Sequence, residues 1–428
     1  LACAVTELFR NETDRNQMRK RAYTFCRNMV WKQVGREYLL LADVLLEERT
    51  DKPRVRAVRR KRIARVEALP ELDLRHFHEL SDDTGILGQA DIITPDRRAG
   101  YCLDDNALAL VACGFHHRLY RTHELNQAMG RHLAFLLDAY DESEGNFRAE
   151  LSFRREWAKT TASDESTAKA IWSLAVVASA ARQEKYRLTG ASLLRKAVGQ
   201  VAQFTSPRAW AFALLGIHEC LQAHEGEALF RRMRDTLGER LLELFQTRGD
   251  NDWPWCETSL TYANAVLPHA LISTGADLGN KRMLDSGLSI LHWLCRIQTD
   301  EGGHCSLIGD KDWYPKGGTK ASFNQRPIDA MHTCLACCEA YRVSNEDYWL
   351  KNARLALEWF LGRNDLDVPM YDATTGGCCD SLTPDGPNAN QGAEATLAWL
   401  VALTAFLIQA GRQTLQDQLP EPTMISEQ

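Results

Sequence analysis

The sequence contains almost no alternating, β-branched stretches, and no Gly-rich loop of the kind that follows a parallel strand to cradle phosphate. These absences set nucleotide-binding α/β architecture aside. Metal-ligand spacing is missing too, so no metal and no cofactor are expected. No charge-free run is long enough for a membrane span. The longest near the end, residues 395–411, is interrupted by Thr396, Thr404 and Gln409 and reads as a buried helix.

Cysteine itself is plentiful, thirteen in all, but the number is odd and the spacing has no disulfide framework. A reducing compartment, the cytoplasm, is therefore expected. Cys334 and Cys337 form a CxxC beside Cys338, inside a helical pattern, and read as small buried residues. The residues before position 20 have neither an initiator Met nor a signal-peptide pattern and look like mid-protein helix, which suggests a piece of a longer chain.

The composition that remains is ordinary and globular, with 45% hydrophobic and 25% charged residues and a formal net charge of −6 over 428 residues. Residues 1–48 read as two helices whose apolar face (Met18, Ala22, Phe25, Met29) needs a packing partner. Residues 49–71 read as a basic linker, with nine Lys/Arg and one Asp between Arg49 and Arg65. The acidic remainder of the chain argues against nucleic acid as its partner. From residue 72 to 411 nearly everything is helical, and 412–428 is a tail.

Ala/Leu-rich, nearly uncharged helices open near Asp104, Asp164, Pro207, Glu257, Gln325 and Asn390, and amphipathic charged ones alternate with them. Apolar helices belong inside and amphipathic ones outside. Six such pairs predict an all-α fold, an (α/α)6 toroid. Five outer partners are evident, so the sixth must come from residues 72–99 or one of the chain ends.

The loops entering the inner helices carry the unusual side chains. They are Asp104, Asp105 and Asn106; Asp164; Arg208; Trp253, Trp255, Glu257, Tyr262 and Asn264; Gln325; and Asn390, Gln391 and Glu394. Trp313 and His304 lie in a Gly-rich loop before the fifth pair, and Tyr371 and Asp380 in another before the sixth. Helix capping explains some of the acids. A carbohydrate site explains more of them, because sugars need aromatic faces to stack on and polar groups to read hydroxyls. Glycoside hydrolysis needs two carboxylates, one protonated and one ionised. Glu257, beside two tryptophans, is the first candidate for the proton donor, with Asp104, Asp105 or Glu394 as partner.

The stretches "DDTGILGQADIITPDRRAGYCLDDNALAL", "DWPWCETSLTYANAVLPHALISTG" and "TGGCCDSLTPDGPNANQGAEATLAWL" resemble the six-hairpin-glycosidase-like domain fused behind bacterial family 4 glycosyltransferases. The resemblance implies a toroid, a carbohydrate ligand, and residues 1–48 as the closing helices of a GT-B domain, with the missing glycosyltransferase domain as packing partner. Asp104, Asp105, Asn106, Trp253, Trp255, Glu257, Tyr262, Asn264, Gln325, Asn390, Gln391 and Glu394 fit its motifs. Leu108, Thr167, Lys169, Ala263, Val266, Asn324, Arg326 and Asp329 depart from them. The leading expectation is an oligosaccharide-acting enzyme with glycosidase-like acid–base chemistry. The alternatives are a sugar-binding or acceptor-positioning module, favoured by those departures, and a sugar epimerase or lyase using Tyr262 and His304.

Overall fold

A computed structural model describes residues 69–120, 125–223 and 228–417, together with positions 6, 11 and 18. The expectations for residues 1–48, most of the basic stretch, and the end of the tail fall outside the described residues. The chain divides into two compact units, Leu1–Arg62 and Ile63–Gln428, and the helical ring belongs to the second.

Twelve α-helices are present among the described residues. Six form a closed ring in which each packs on the next: α2 (Leu103–Leu119), α4 (Asp164–Ala180), α6 (Pro207–Ala223), α8 (Val266–Leu278), α10 (Pro327–Ser344) and α12 (Ala393–Asp417), with α12 returning to α2. Outside them lie α3 (Asn126–Ala139), α5 (Glu184–Ala197), α7 (Ala228–Arg248), α9 (Lys281–Ile297) and α11 (Asp347–Phe360), each against the inner helix that precedes it. The short α1 (Arg75–Leu80) packs on α12 and supplies the sixth outer partner from within residues 72–99. This is the expected (α/α)6 toroid.

Burial separates the two rings. Inner α4 buries residues on every side, from Thr167 to Ala178, while outer α9 buries one stripe at helical spacing, Met283, Gly287, Ile290, Leu291 and Leu294. The apolar stretch Ala393–Gly411 is long enough to cross a membrane, yet 72% of it is buried within the ring, where it acts as a wall of the core.

Local chemistry sets the helix starts. Ser163 caps α4 through its side chain, which accepts from the Ser166 N–H, and Asn280 does the same for α9 at Met283. Pro327 opens α10, where its missing N–H costs nothing. Small residues set the spacing between helices. A Cβ on Gly275 of α8 would lie 2.5 Å from the Leu284 backbone nitrogen and 2.9 Å from its Cα in α9. Backbone cannot yield as a flexible side chain does. Gly275→Ala is therefore expected to lose roughly 1–3 kcal/mol despite alanine's better helix propensity, read as a lower urea midpoint at unchanged slope.

Candidate active site at the helix N-terminal mouth

All six inner helices run the same way, so their N-termini meet at one mouth. There the first turns present orphan N–H groups and the positive ends of the helix dipoles, and acidic side chains gather to meet them. Asp104 and Asp105 stand in the first turn of α2, Asp164 and Glu165 in that of α4, Asp329 in that of α10, and Glu394 in that of α12.

A cavity of about 610 Å³ opens at this mouth, lined by Asp104, Asp105, Asp310, Arg326, Asp380 and Glu394 among others. Beneath it a throat of about 30 Å³ shares Asp104, Asp105 and Glu394 with the cavity and adds Lys169, Trp172, Phe212 and His332. Three of the four expected catalytic carboxylates thus share one space. Asp380, a candidate lining residue from the loop before the sixth pair, joins them.

The carboxylates differ in surroundings. Asp104 pairs with the Lys169 ammonium at 2.6 Å, and Glu394 pairs with Arg326 at 2.5 Å. Burial opposes the charge on Lys169, but Asp104, then Glu394 and Glu165, outweigh it and hold the ammonium above its ordinary value. Asp105 makes no ion pair among the described residues; the Cys102 thiol donates to its Oδ2 at 2.9 Å. Burial, aided by the Glu394 and Asp104 charges, raises its carboxyl to about 7. Asp380 accepts from the Gly392 N–H at 2.8 Å and is raised to about 6, by burial first and then by Glu394. Carboxyls that hold a proton near neutrality therefore stand beside carboxylates paired to cations.

Glu257, the first candidate, stands apart from these carboxylates. It lines neither space, and its Oε1 accepts from Arg208 at 2.8 Å while Oε2 is buried with no partner among the described residues. The tryptophans beside it also lie outside the cavity lining. Trp255 is wholly buried against Phe245 and Trp293, and Trp253 packs edge-on to Trp293 and Tyr314 while its indole N–H donates to the Glu257 carbonyl. They build the core beneath the loop and present no face to a ligand. The half-buried aromatic pair is Tyr262 with Trp313, 6.3 Å between centroids, and Tyr262 donates to Glu165 at 2.6 Å.

Most expected sugar-reading residues instead hold the loops in place. Arg208 donates to the Tyr262 carbonyl and to Thr261. Asn264 closes that turn on Thr261 through both amide atoms. Asn106 accepts from the Ile86 N–H and donates to the Cys102 carbonyl. Gln325 accepts from the Leu307 N–H and the Trp359 indole. Gln391 accepts from Thr375, Asn390 from the Ile92 N–H, and Asp164 from the Thr205 N–H. All are polar residues near helix mouths, a position that backbone satisfaction demands as strongly as ligand binding does.

The one cluster of metal-ligating type among the described residues is Asp300, His304 and Asp365. His304 places Nε2 2.9 Å from Asp365 and Nδ1 3.3 Å from Asp300, so the ring bridges two carboxylates. The hydrogen bond to Asp365 raises the imidazole above its ordinary value, as expected of a bridging imidazolium. It ties the Gly-rich loop down and does not line the cavity. Cys334, Cys337 and Cys338 are buried in α10.

No family model matches the chain, and neither does any curated protein sequence. Solved structures do match. A sugar epimerase from a ruminal bacterium aligns over 79% of this chain and 95% of its own at TM-score 0.62 and 12% identity. The cellobiose 2-epimerase of Bacillus thermoamylovorans B4167 aligns over 79% and 96% at 0.61 and 11%. The family 9 endoglucanase J30 aligns over 75% and 74% at 0.52 and 12%. At such identities the likeness is one of fold, and the fold is the (α/α)6 toroid.

Two variants separate the roles. Glu257→Gln leaves Arg208 buried and charged without its partner and is expected to lower stability by roughly 1–3 kcal/mol. Asp105→Asn is expected to act oppositely. A carboxyl raised on folding stabilises the native state fully below its unfolded value, and that stability is lost as pH rises towards about 7. Melting temperatures of Asp105→Asn should match wild type near pH 4 and exceed it at pH 8.

Proposed function

We propose that this toroid acts on a carbohydrate at the helix N-terminal mouth, by acid–base chemistry of the glycoside-hydrolase kind. The proposal rests on a contrast inside one cavity. Asp105 keeps its proton near neutral pH, while Asp104 and Glu394 are paired with Lys169 and Arg326. A carboxyl raised by burial beside carboxylates held by basic side chains is the pairing that a general acid and a general base require. Asp105 is the proton donor in this reading. Glu394, across the throat on α12, is the carboxylate that activates water or meets developing positive charge. Arg326 and Lys169 hold the two charged acids in place, and Trp172 and Phe212 give the throat its apolar floor. The structural neighbours, epimerases and an endoglucanase by name, agree with a sugar as ligand.

A second reading is a sugar-binding or acceptor-positioning module serving a fused glycosyltransferase domain, in line with the resemblance of the sequence motifs. It is favoured by the fact that Glu394, Asp104 and Glu257 each already carry a basic partner. In either reading the chain works in the cytoplasm.

A glycan panel incubated with wild type, Asp105→Asn and Glu394→Gln, followed by mass spectrometry and NMR, tests the choice. The hydrolytic reading predicts products from wild type and a loss of roughly 10²–10⁴-fold in each variant, with binding retained. Binding without turnover in all three proteins supports the module. Conversion at unchanged mass supports epimerisation and overturns the hydrolytic reading.

A further inference from the structure

The toroid has a second mouth. The ring narrows at Trp172, Phe212 and His332, whose centroids lie 5.4–6.4 Å apart across the axis. Beyond that plug, towards the C-terminal ends of the inner helices, lies another cavity of about 430 Å³. Trp172 lines it as well as the throat of the upper site.

Its wall is polar in an ordered way. Arg118 of α2 makes a forked pair with Glu219 of α6, with N–O distances of 3.0 and 2.6 Å, and also donates to Ser179 of α4. Arg342 pairs with Glu339 on α10, both contacts 2.7 Å. His218 of α6 places Nδ1 2.7 Å from Asp277 of α8, and Gln222 donates to the same carboxylate. Despite burial, Arg118 holds Glu219 below the ordinary carboxylate range, and Arg342 with His218 holds Glu339 down at about 2. Three basic side chains thus face three carboxylates around an open cavity whose wall is part solvated, with Arg118 and Arg342 exposed and Glu219, Glu339, His218 and Asp277 half-buried. His269 adds a buried Nδ1 with no partner among the described residues.

We propose that this lower cavity is a second binding site, for a small neutral polyhydroxylated molecule of monosaccharide or disaccharide size. The volume suits that class. Neutrality follows from the pairing. Each charge already has its counter-charge, so an ionic ligand must disrupt a pair, whereas a hydroxyl can bond to groups the pairs leave over. Arg342 uses Nε and Nη2 on Glu339, and His218 uses Nδ1 on Asp277. Nη1 of Arg342, a donor, and Nε2 of His218, which can bond to a hydroxyl in either tautomer, have no protein partner among the described residues, and His269 Nδ1 is a further polar contact. Phe115, Leu215 and Trp172 provide apolar surface for sugar C–H faces. The Trp172 indole borders both this cavity and the throat of the upper site. The lower site does not depend on which reaction, if any, occurs above.

Calorimetric titration of the whole chain with glucose and cellobiose, with inorganic phosphate and succinate as charged probes, tests the proposal. Four proteins are compared: wild type, Ala99→Trp at the exposed rim of the upper cavity, Ala405→Phe inside the lower one, and Ala223→Trp at its exposed rim. The expected result is a saturable sugar site that survives Ala99→Trp and weakens at least roughly tenfold in both lower-cavity variants. Ala223 lies on the surface, so its variant remains informative if Ala405→Phe fails to fold. Sugar binding untouched by both lower-cavity changes overturns the proposal, as does the absence of sugar binding to wild type. Binding of phosphate or succinate, but neither sugar, that the rim variant abolishes overturns it too.

Discussion

Six helix N-termini meeting at one mouth govern how charge is laid out through the whole ring. Each inner helix brings unsatisfied N–H groups and a partial positive charge to the same place. Acids in the first turn suit that partial charge, as Asp104, Asp164, Asp329 and Glu394 illustrate. Crowded carboxylates repel, so the ring must either import cations or leave some acids protonated. It does both. Lys169, Arg208 and Arg326 each take one carboxylate, while Asp105 and Asp380, in no ion pair among the described residues, rise towards neutrality. The proposed chemistry grows out of this division of charge.

The opposite mouth inverts the problem. Helix C-termini favour cations, and Arg118, Arg342 and His218 occupy that end, each with a carboxylate of its own. Between the two ends the axis is closed by Trp172, Phe212 and His332, and burial keeps His332 neutral by pushing it down to about 3. The toroid thus holds two polar cavities separated by an aromatic plug.

The ring was legible in the sequence because inner and outer helices differ in kind. A helix buried all round, such as α4, and one buried along a stripe, such as α9, leave unlike patterns. The acids at the mouth were legible for the same reason, since helix starts can be placed. Which acid reacts could not be read that way. Glu257 lies next to tryptophans in the chain, but its carboxylate turns to Arg208, forty-nine residues earlier, and the indoles turn into the core. Lys169, a departure from the resembled motif, closes on Asp104 and so restores charge balance at the mouth. Proximity along the chain says little about which charges face each other across a ring. The lower cavity left no sequence signal, because its residues are spread over six helices, far apart in the chain.

The chemistry proposed for the upper mouth stands or falls with Asp105 carrying its proton at neutral pH beside ionised carboxylates. Carboxyl titration followed by carbon-detected NMR, comparing wild type with Asp105→Asn, addresses it directly. Asp105 and the buried Asp329 are both raised to about 7, and loss of one of the two resonances titrating there, in Asp105→Asn alone, is the expected result. If the resonance that Asp105→Asn removes instead titrates in the ordinary acidic range, Asp105 is ionised at neutrality and cannot be the proton donor.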